Sequence, residues 1–441
     1  MKNTGEVPER GQIQMKILML AWEYPPRVVG GIAKVVYDLS QKLTREGHEV
    51  HVVTYLEGNV KEYEKDKQVH VHRVANYMVN PNNFVDWIMQ LNFNMIAKSN
   101  ALMDEGVKFD VIHAHDWLVA YAAKTLKNSY NIPLVATIHA TENGRNGGIH
   151  NETQRYINDV EWLLTYEASE IICNSNFMKC ELQRIFSLPF DKINIIPNGV
   201  NLTKFNGIQR DYDFRRKYAF DNEKIIFFAG RLVPEKGVQV LIDALPKMLE
   251  YYRDCKLVIA GRGPMLEELQ SKVNFMKLSE KVYFTGYLNE KQMIQMYKSA
   301  DVAVFPSTYE PFGIVALEGM LSGTPVVVSD MGGLNEIVEH GVDGLKSYAG
   351  NANSLADSIL SLLYNQKLCL ELVKNAKAKV KKHYSWQKIM EETFFVYEKA
   401  ICQSVAQKQA YQIEQQTAED RKKKNKNDDI TNLLNFRQIY A

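Results

Sequence analysis

Cysteine is scarce in this chain of 441 residues. The five present, Cys173, Cys180, Cys255, Cys369 and Cys402, are scattered, odd in number and form no Cys-x-x-Cys pair. Metal or disulfide roles stay open, but the pattern favours buried or idle thiols in a reducing cytosol. Long apolar runs are also missing. The first, Ile17-Leu18-Met19-Leu20-Ala21, is too short for a signal-peptide core or a membrane span, and residues 1–14 before it are polar. A cytoplasmic protein with no transmembrane segment is expected. Charge of one sign does not dominate either. The balance of 53 Lys and Arg against 52 Asp and Glu leaves +1, which offers no electrostatic case for nucleic acid as a partner. A complete Gly-x-Gly-x-x-Gly dinucleotide fingerprint is absent. Gly261-Arg262-Gly263 is a fragment of one, with Leu266 at the third glycine position.

What is present reads as an α/β enzyme. The hydrophobic content of 46% can fill cores, and the length allows two or three domains. Continuous apolar runs predict strands at 16–21, 49–54, 69–74, 110–114, 134–138 and 170–174, then at 224–229, 256–260, 281–285, 301–305 and 325–329. Runs without polar alternation suit strands buried on both faces, as in parallel sheets. Helix-period segments lie between them. Val35, Val36, Leu39 and Leu43 share a face before Gly47, and Leu241, Leu245 and Met248 repeat the pattern. The alternation pauses over the polar stretch 197–213 and restarts at Lys224. This divides the chain into an N-terminal domain, 15–204, and a C-terminal one, 205–384, both Rossmann-like. Residues 1–14 and the Gln-, Lys- and Asp-rich segment 403–441 are expected to be disordered tails.

Ligands of open parallel sheets sit beyond the carboxyl ends of strands, so the residues following each strand carry the information. After the first strand come Trp22, Glu23 and, before a helix, Gly30-Gly31. Adjacent glycines at a helix start admit close approach of an anion to backbone N–H groups. After the fourth and fifth strands come His113-Ala114-His115-Asp116-Trp117 and Ile138-His139-Ala140-Thr141-Glu142-Asn143-Gly144-Arg145. An aromatic ring beside carboxylate and imidazole groups suits a carbohydrate, although His113 and His115 could instead be zinc ligands or members of a core network. Arg231 and Lys236 share one short loop at the start of the second domain, a place where two cations could meet a diphosphate. The sharpest signal is Glu310-Pro311-Phe312-Gly313-Ile314-Val315-Ala316-Leu317-Glu318. Here a turn leads into a helix start, Glu318 lies roughly 8 Å along the helix axis at ~1.5 Å per residue, and the two carboxylates bracket a space the size of a sugar diphosphate.

Taken in order, these segments resemble the retaining GT-B glycosyltransferases of family 4. Glu310 and Glu318 match that family's Glu-x7-Glu signature, and the likeness runs from about Met15 to Tyr397. It is nearest to glycogen-synthase-like α-glucan glucosyltransferases of bacteria and archaea, through His113–Ala120, Thr137–Arg145 and Glu310–Glu318. The resemblance implies a GT-B fold: two Rossmann-like domains whose parallel sheets face each other across a cleft, with the helix 385–400 returning to the first domain. It implies glucose transfer from ADP- or UDP-glucose to an α-glucan or another glycan, with no cofactor and no metal. Arg231 and Lys236 would hold the donor diphosphate, with Gly30 and Gly31 approaching it from the opposite domain. Glu318 would accept the ribose hydroxyls. Glu310, Phe312, Gly313 and Ile314 would face the donor. His139 would lie at the reacting side of the sugar, and Glu23, His115, Asp116 and Trp117 would shape the sugar and acceptor site. One departure is visible: glycogen synthases often carry Lys-x-Gly-Gly in the first loop, where this chain has Val28-Val29-Gly30-Gly31.

Other readings compete. Asp211-Tyr212-Asp213 has the form of the Asp-x-Asp metal motif of GT-A transferases, but it falls in the polar linker. A nucleotide-sugar epimerase or a non-catalytic sugar-binding protein could share the two-domain build.

Overall fold

The computed structural model describes residues 14–76 and 83–439. The expectation for the first fourteen residues lies, Gln14 apart, outside that range. Two open sheets organise the rest. The first has eight strands, β1 (Lys16–Leu20), β2 (Glu49–Tyr55), β3 (Tyr63–Asp66), β4 (Val69–Val74), β5 (Val111–His115), β6 (Leu134–Ile138), β7 (Glu170–Cys173) and β8 (Ile193–Ile195), in the order β3-β4-β2-β1-β5-β6-β7-β8. The second has six, β9 (Lys224–Ala229), β10 (Cys255–Ala260), β11 (Val282–Gly286), β12 (Val302–Phe305), β13 (Val326–Ser329) and β14 (Leu345–Ser347), in the order β11-β10-β9-β12-β13-β14. All pairings are parallel except β3 against β4. β3, β8 and β14 do not stand out in the sequence. They are only three or four residues long and half-buried, too short to leave a periodic signal.

The continuous apolar runs are central strands, as their composition demands. Ile17, Leu18, Met19 and Leu20 of β1 are fully buried, and Ile17 lies in register with Val50 on one side and Val111 on the other. Helices cover both faces of each sheet. The first sheet packs Leu18, Leu20, Ile112 and Leu134 against one helical layer and Ile17, Met19, Val52 and Val111 against the other. The second divides Phe227 and Phe305 from Ile226 and Val304 in the same way.

The last helix belongs to the first domain. Ile389, Met390, Val396, Tyr397 and Ala400 complete the core around Ile17 and Val52, and the Tyr397 hydroxyl meets His113 Nδ1 at 2.8 Å. The two chain crossings between the domains lie side by side. Val200 N donates to Tyr384 O at 2.9 Å, and Trp386 lies against Gly199 so closely that any Cβ there would strike its ring.

One expectation is corrected. The backbone remains helical from Trp386 to Ile439, where the sequence reading expects a disordered tail from 403. Polarity suggested disorder, but Gln, Lys, Glu and Ala are good helix formers. No glycine or proline interrupts 403–439, and the segment extends a helix already nucleated on the core.

Candidate active site

In each sheet the chain winds outward from one strand in both directions, and the reversal opens a crevice at the strand ends. In the first domain the reversal lies between β1 and β5, in the second between β9 and β12. The two face each other across a cleft of ≈1980 Å³. Every residue that the resemblance assigns to the site lines this cleft except His115.

The donor-side loops are held together by backbone geometry. Gly237 adopts a φ of 70°, and a Cβ there would run into the Pro306 carbonyl oxygen. The loop after β9 therefore packs directly on the loop after β12, and Thr308 N donates to Glu235 O at 2.8 Å. This places Lys236 Nζ 2.7 Å from Glu310 Oε2, which also accepts from Ser307 Oγ at 3.2 Å. Arg231 projects half-exposed into the cleft, 3.6 Å from Glu235. Gly313, with φ 109°, lets the chain turn under Leu334 into the helix Ile314–Ser322, whose first turn presents free N–H groups.

Glu318 lies on that helix, buried between Lys204 at 2.7 Å and Lys34 at 3.2 Å. Burial alone would raise its carboxyl, but the two ammonium groups outweigh that and hold it below its ordinary value. Sequence reasoning missed both lysines. Lys34 stands one turn after Gly31 on the same helix face, so helical spacing could have revealed it. Nothing in the linker sequence marks Lys204.

On the opposite wall, Glu23 holds the glycine turn rather than facing the cleft as a free carboxylate. Its Oε2 accepts from Val29 N at 2.6 Å and Gly30 N at 3.0 Å. Asp116 has φ 61°, an unfavourable backbone state for a residue with a Cβ, of the kind that clusters at functional sites. Its Oδ1 accepts from His139 N at 2.7 Å and so sets the His139 loop. The His139 ring lies between Asn174 Nδ2, 3.4 Å from Nδ1, and His115 Nδ1, 3.2 Å from Nε2. With Asn174 Nδ2 facing Nδ1, the amide donates there and the ring proton falls on Nε2, toward His115; the opposite amide orientation reverses the tautomer. Burial lowers this imidazole to about 4, and it is neutral at pH 7. His115 stands behind His139 as its hydrogen-bond partner, not on the cleft surface. Both ring nitrogens of His113 are engaged, by Tyr397 and Thr137, which makes it a core residue. Among the described residues no group of three or more His, Cys, Asp or Glu is placed to hold a metal. Asp211 caps the short helix Tyr212–Arg216 and Asp213 pairs with Arg216, away from the cleft.

Burial pushes the Asp116 carboxyl up to about 7 against the lowering effect of His139 N–H, Arg145 and Ala140 N–H. Burial also raises Glu161 nearby. Between about pH 4 and 7 the folded chain therefore retains a proton on Asp116 that the unfolded chain releases, and stability falls as pH rises through that window. Asp116→Asn should remove up to one proton from this slope, about 1.4 kcal/mol per pH unit. Thermal melts from pH 4 to 8 check it; an unaltered slope would assign the proton to another group.

The two walls also touch. Tyr309 Oη donates to Glu181 Oε1 at 2.8 Å, and Thr141 Oγ1 donates to the same oxygen at 2.6 Å. Ser175 Oγ donates to Pro311 O at 2.7 Å, and Glu336 accepts from Asn176 N and Phe177 N at 2.9 and 2.8 Å. The loop carrying Glu310 is thus tied to the loop carrying His139.

Two Rossmann-like domains opposed across a cleft, with Arg231, Lys236 and the buried Glu318 on one wall, have the architecture of a GT-B glycosyltransferase, and the chain belongs to family 4 of that class. Residues 29–204 match the family described as Glycosyltransferase Family 4, and residues 210–379 that described as Glycosyl transferases group 1. It is a sugar transferase that uses a nucleotide-sugar donor. Among curated relatives, an uncharacterised glycosyltransferase of Methanocaldococcus jannaschii is 42% identical over 392 residues, covering 88% of this chain and 99% of the relative. The glycogen synthase of Mycobacterium tuberculosis is 32% identical over 397 residues, covering 87% and 94%. Among solved structures, the sucrose-phosphate synthase of Thermosynechococcus elongatus superposes with a TM-score of 0.77 at 23% identity, over 88% of this chain and all of that one. The catalytic domain of starch synthase IV from Arabidopsis thaliana, bound to ADP and acarbose, gives 0.71 at 16% identity over 88% and 100%. No helix among the described residues is long and apolar enough to cross a membrane.

Proposed function

We propose that the protein transfers glucose, with retention of configuration, from ADP- or UDP-glucose to an α-glucan, forming an α-1,4 linkage. The observation that carries this reading is the single cleft in which Arg231, Lys236, Glu310 and Glu318 of one domain face Gly30, Gly31, Trp117 and His139 of the other. The likeness to a glycogen synthase over 94% of that protein's length favours a glucan acceptor.

In this reading Arg231 and Lys236 bind the diphosphate, and their charge stabilises the negative charge that builds on it as the C1–O bond breaks. Backbone N–H groups at the helix starts Gly31 and Ile314 add to this. Glu318 accepts the ribose hydroxyls. Lys34, freed from Glu318 as it does so, supplies from the first domain the cation that Val28-Val29-Gly30-Gly31 lacks relative to Lys-x-Gly-Gly loops. Neutral His139, held by Asn174 and His115, lies at the reacting side of the transferred sugar. Proton NMR of the first product from each donor with maltooligosaccharides tests the reading. An α-anomeric signal on a lengthened glucan is expected; a β-signal, an epimerised donor or no elongation would overturn it.

Closure of the domains sets the distance between His139 and Glu310. Tyr309→Phe removes a buried hydrogen bond to a carboxylate, worth about 1–3 kcal/mol to the closed form. The expected result is a kcat reduced ~10-fold and a larger radius of gyration by small-angle scattering with nucleoside diphosphate present. A variant with wild-type kcat would show that this contact does not govern closure.

A further inference from the structure

Beside the cleft lies a second pocket, of ≈510 Å³, lined by Arg27, Tyr55, Glu57, Asn83, Phe84 and Trp87. The reaction as described makes no use of it. Its walls are aromatic. Trp87 meets Tyr55 edge-on at 4.8 Å, stacks on Phe84 at 5.9 Å and meets Trp22 edge-on at 6.3 Å. The Arg27 guanidinium lies 5.0–5.7 Å from the Trp22, Tyr55 and Trp87 rings. Its charge is met by Glu57 at 2.7 Å, so the pocket carries a neutralised pair rather than an anion-binding excess. Arg27 Nε, on the pocket wall, is buried without a partner among the described residues, as is the indole N–H of Trp22 behind it. Buried donors of this kind are uncommon.

The pocket adjoins the cleft. Phe84 lines both, and its ring meets Trp117, beside Asp116, edge-on at 6.1 Å. A row of rings, Trp117, Phe84, Trp87 and Tyr55, therefore leads away from the reacting centre, with Phe84 and Tyr55 flanked by polar groups of Asn83, Glu57 and Arg27. Aromatic faces bordered by paired polar groups match a neutral sugar, whose C–H faces stack on rings while its hydroxyls bond to amide, carboxylate and guanidinium groups. A single hexose would occupy only one end of the row.

We infer that this pocket is a distal subsite for the acceptor, and that the acceptor is a neutral oligosaccharide running from Trp117 past Phe84 to Trp87 and Tyr55. The inference rests on the glycosyltransferase reading above and specifies its acceptor as a chain. The test is calorimetric titration of the enzyme, saturated with nucleoside diphosphate, with malto-, cello- and manno-oligosaccharides of two to seven units. In the wild type, affinity for the malto series should rise about tenfold between two and five units, the scale of one aromatic contact. In Trp87→Ala the ratio between long and short chains should fall to near one. Glu57→Ala, at a largely exposed position, should lower it in part and guards against misfolding of the tryptophan variant. The same length dependence in a series other than malto would keep the subsite and overturn the α-glucan reading. Equal affinity at all lengths, no binding of any series, or a length gain retained in both variants would overturn the subsite.

Discussion

Lys236→Ala is expected to lower kcat about 10²–10³-fold, and EDTA to leave wild-type activity intact. Departure of the nucleoside diphosphate concentrates negative charge that must be met by something positive already in place. GT-A enzymes use a metal held by Asp-x-Asp, but the only such pair here is engaged elsewhere: Asp211 caps a helix and Asp213 bonds Arg216. Lys236 is instead fixed over the cleft by Glu310 at 2.7 Å and by the close packing of its loop on Pro306. Removing one such preorganised electrostatic group typically costs about 3–4 kcal/mol of transition-state stabilisation. Lys236 is a partly exposed loop residue, so Tm should change little. Arg231→Ala should act more on donor KM, since the half-exposed guanidinium has only a long contact to Glu235 to break before it engages phosphate. Steady-state kinetics with and without EDTA decide the matter. Activity abolished by EDTA and restored by Mg²⁺, with Lys236→Ala close to wild type, would assign the charge to a metal.

Glu318→Ala should have the second large effect, and on two properties at once. Donor KM should rise at least ~30-fold, because truncating one partner of a buried charged hydrogen bond costs about 2–5 kcal/mol. Folding stability should fall as well. Lys204 is buried and would be left, among the described residues, with the weaker attraction of Glu290 at 3.7 Å and of the Asp38 carboxyl, whereas half-exposed Lys34 can turn to solvent. Stranding a buried charge costs about 3–5 kcal/mol, so a loss near the lower figure is expected. Glu318→Gln keeps an acceptor for the ribose and should lie between the two in KM. The pH dependence has a definite sign. Because the folded carboxyl lies below its unfolded value of 4.5, its stabilisation is present above that pH and lost as pH falls through the folded value. Acid denaturation of Glu318→Ala should therefore be shallower than that of the wild type. Parallel donor titrations and acid melts check both; an unchanged donor KM would remove Glu318 from the ribose site.

The central strands and most of the site were legible in the sequence for one physical reason. A strand buried on both faces must be apolar throughout, and in a doubly wound sheet the polar residues that follow it are the ones a ligand meets. Gly30, Asp116, His139, Arg231 and Glu310 were found in this way, as residues that follow strands. The roles of several changed once the neighbours were known. Glu23, expected at the sugar site, also accepts the backbone N–H groups of the glycine turn, and His115 lies behind His139 as its hydrogen-bond partner.

What the sequence determined by itself is local: the alternation of β and α, the two-domain division, the Glu-x7-Glu helix start and the pair of cations in one loop. These depend on periodicity, turn chemistry and spacing along the chain, which are short-range properties. Only the tertiary structure decided which distant groups meet. Lys34 and Lys204 reach Glu318 from 284 and 114 residues away. Tyr309 reaches Glu181 across the domain boundary, and Arg27 joins Trp22, Tyr55 and Trp87 in the second pocket. Such contacts follow from how two independently folded sheets dock and from which faces their helices turn to each other. That is set by the packing of whole surfaces, which no local run of residues encodes.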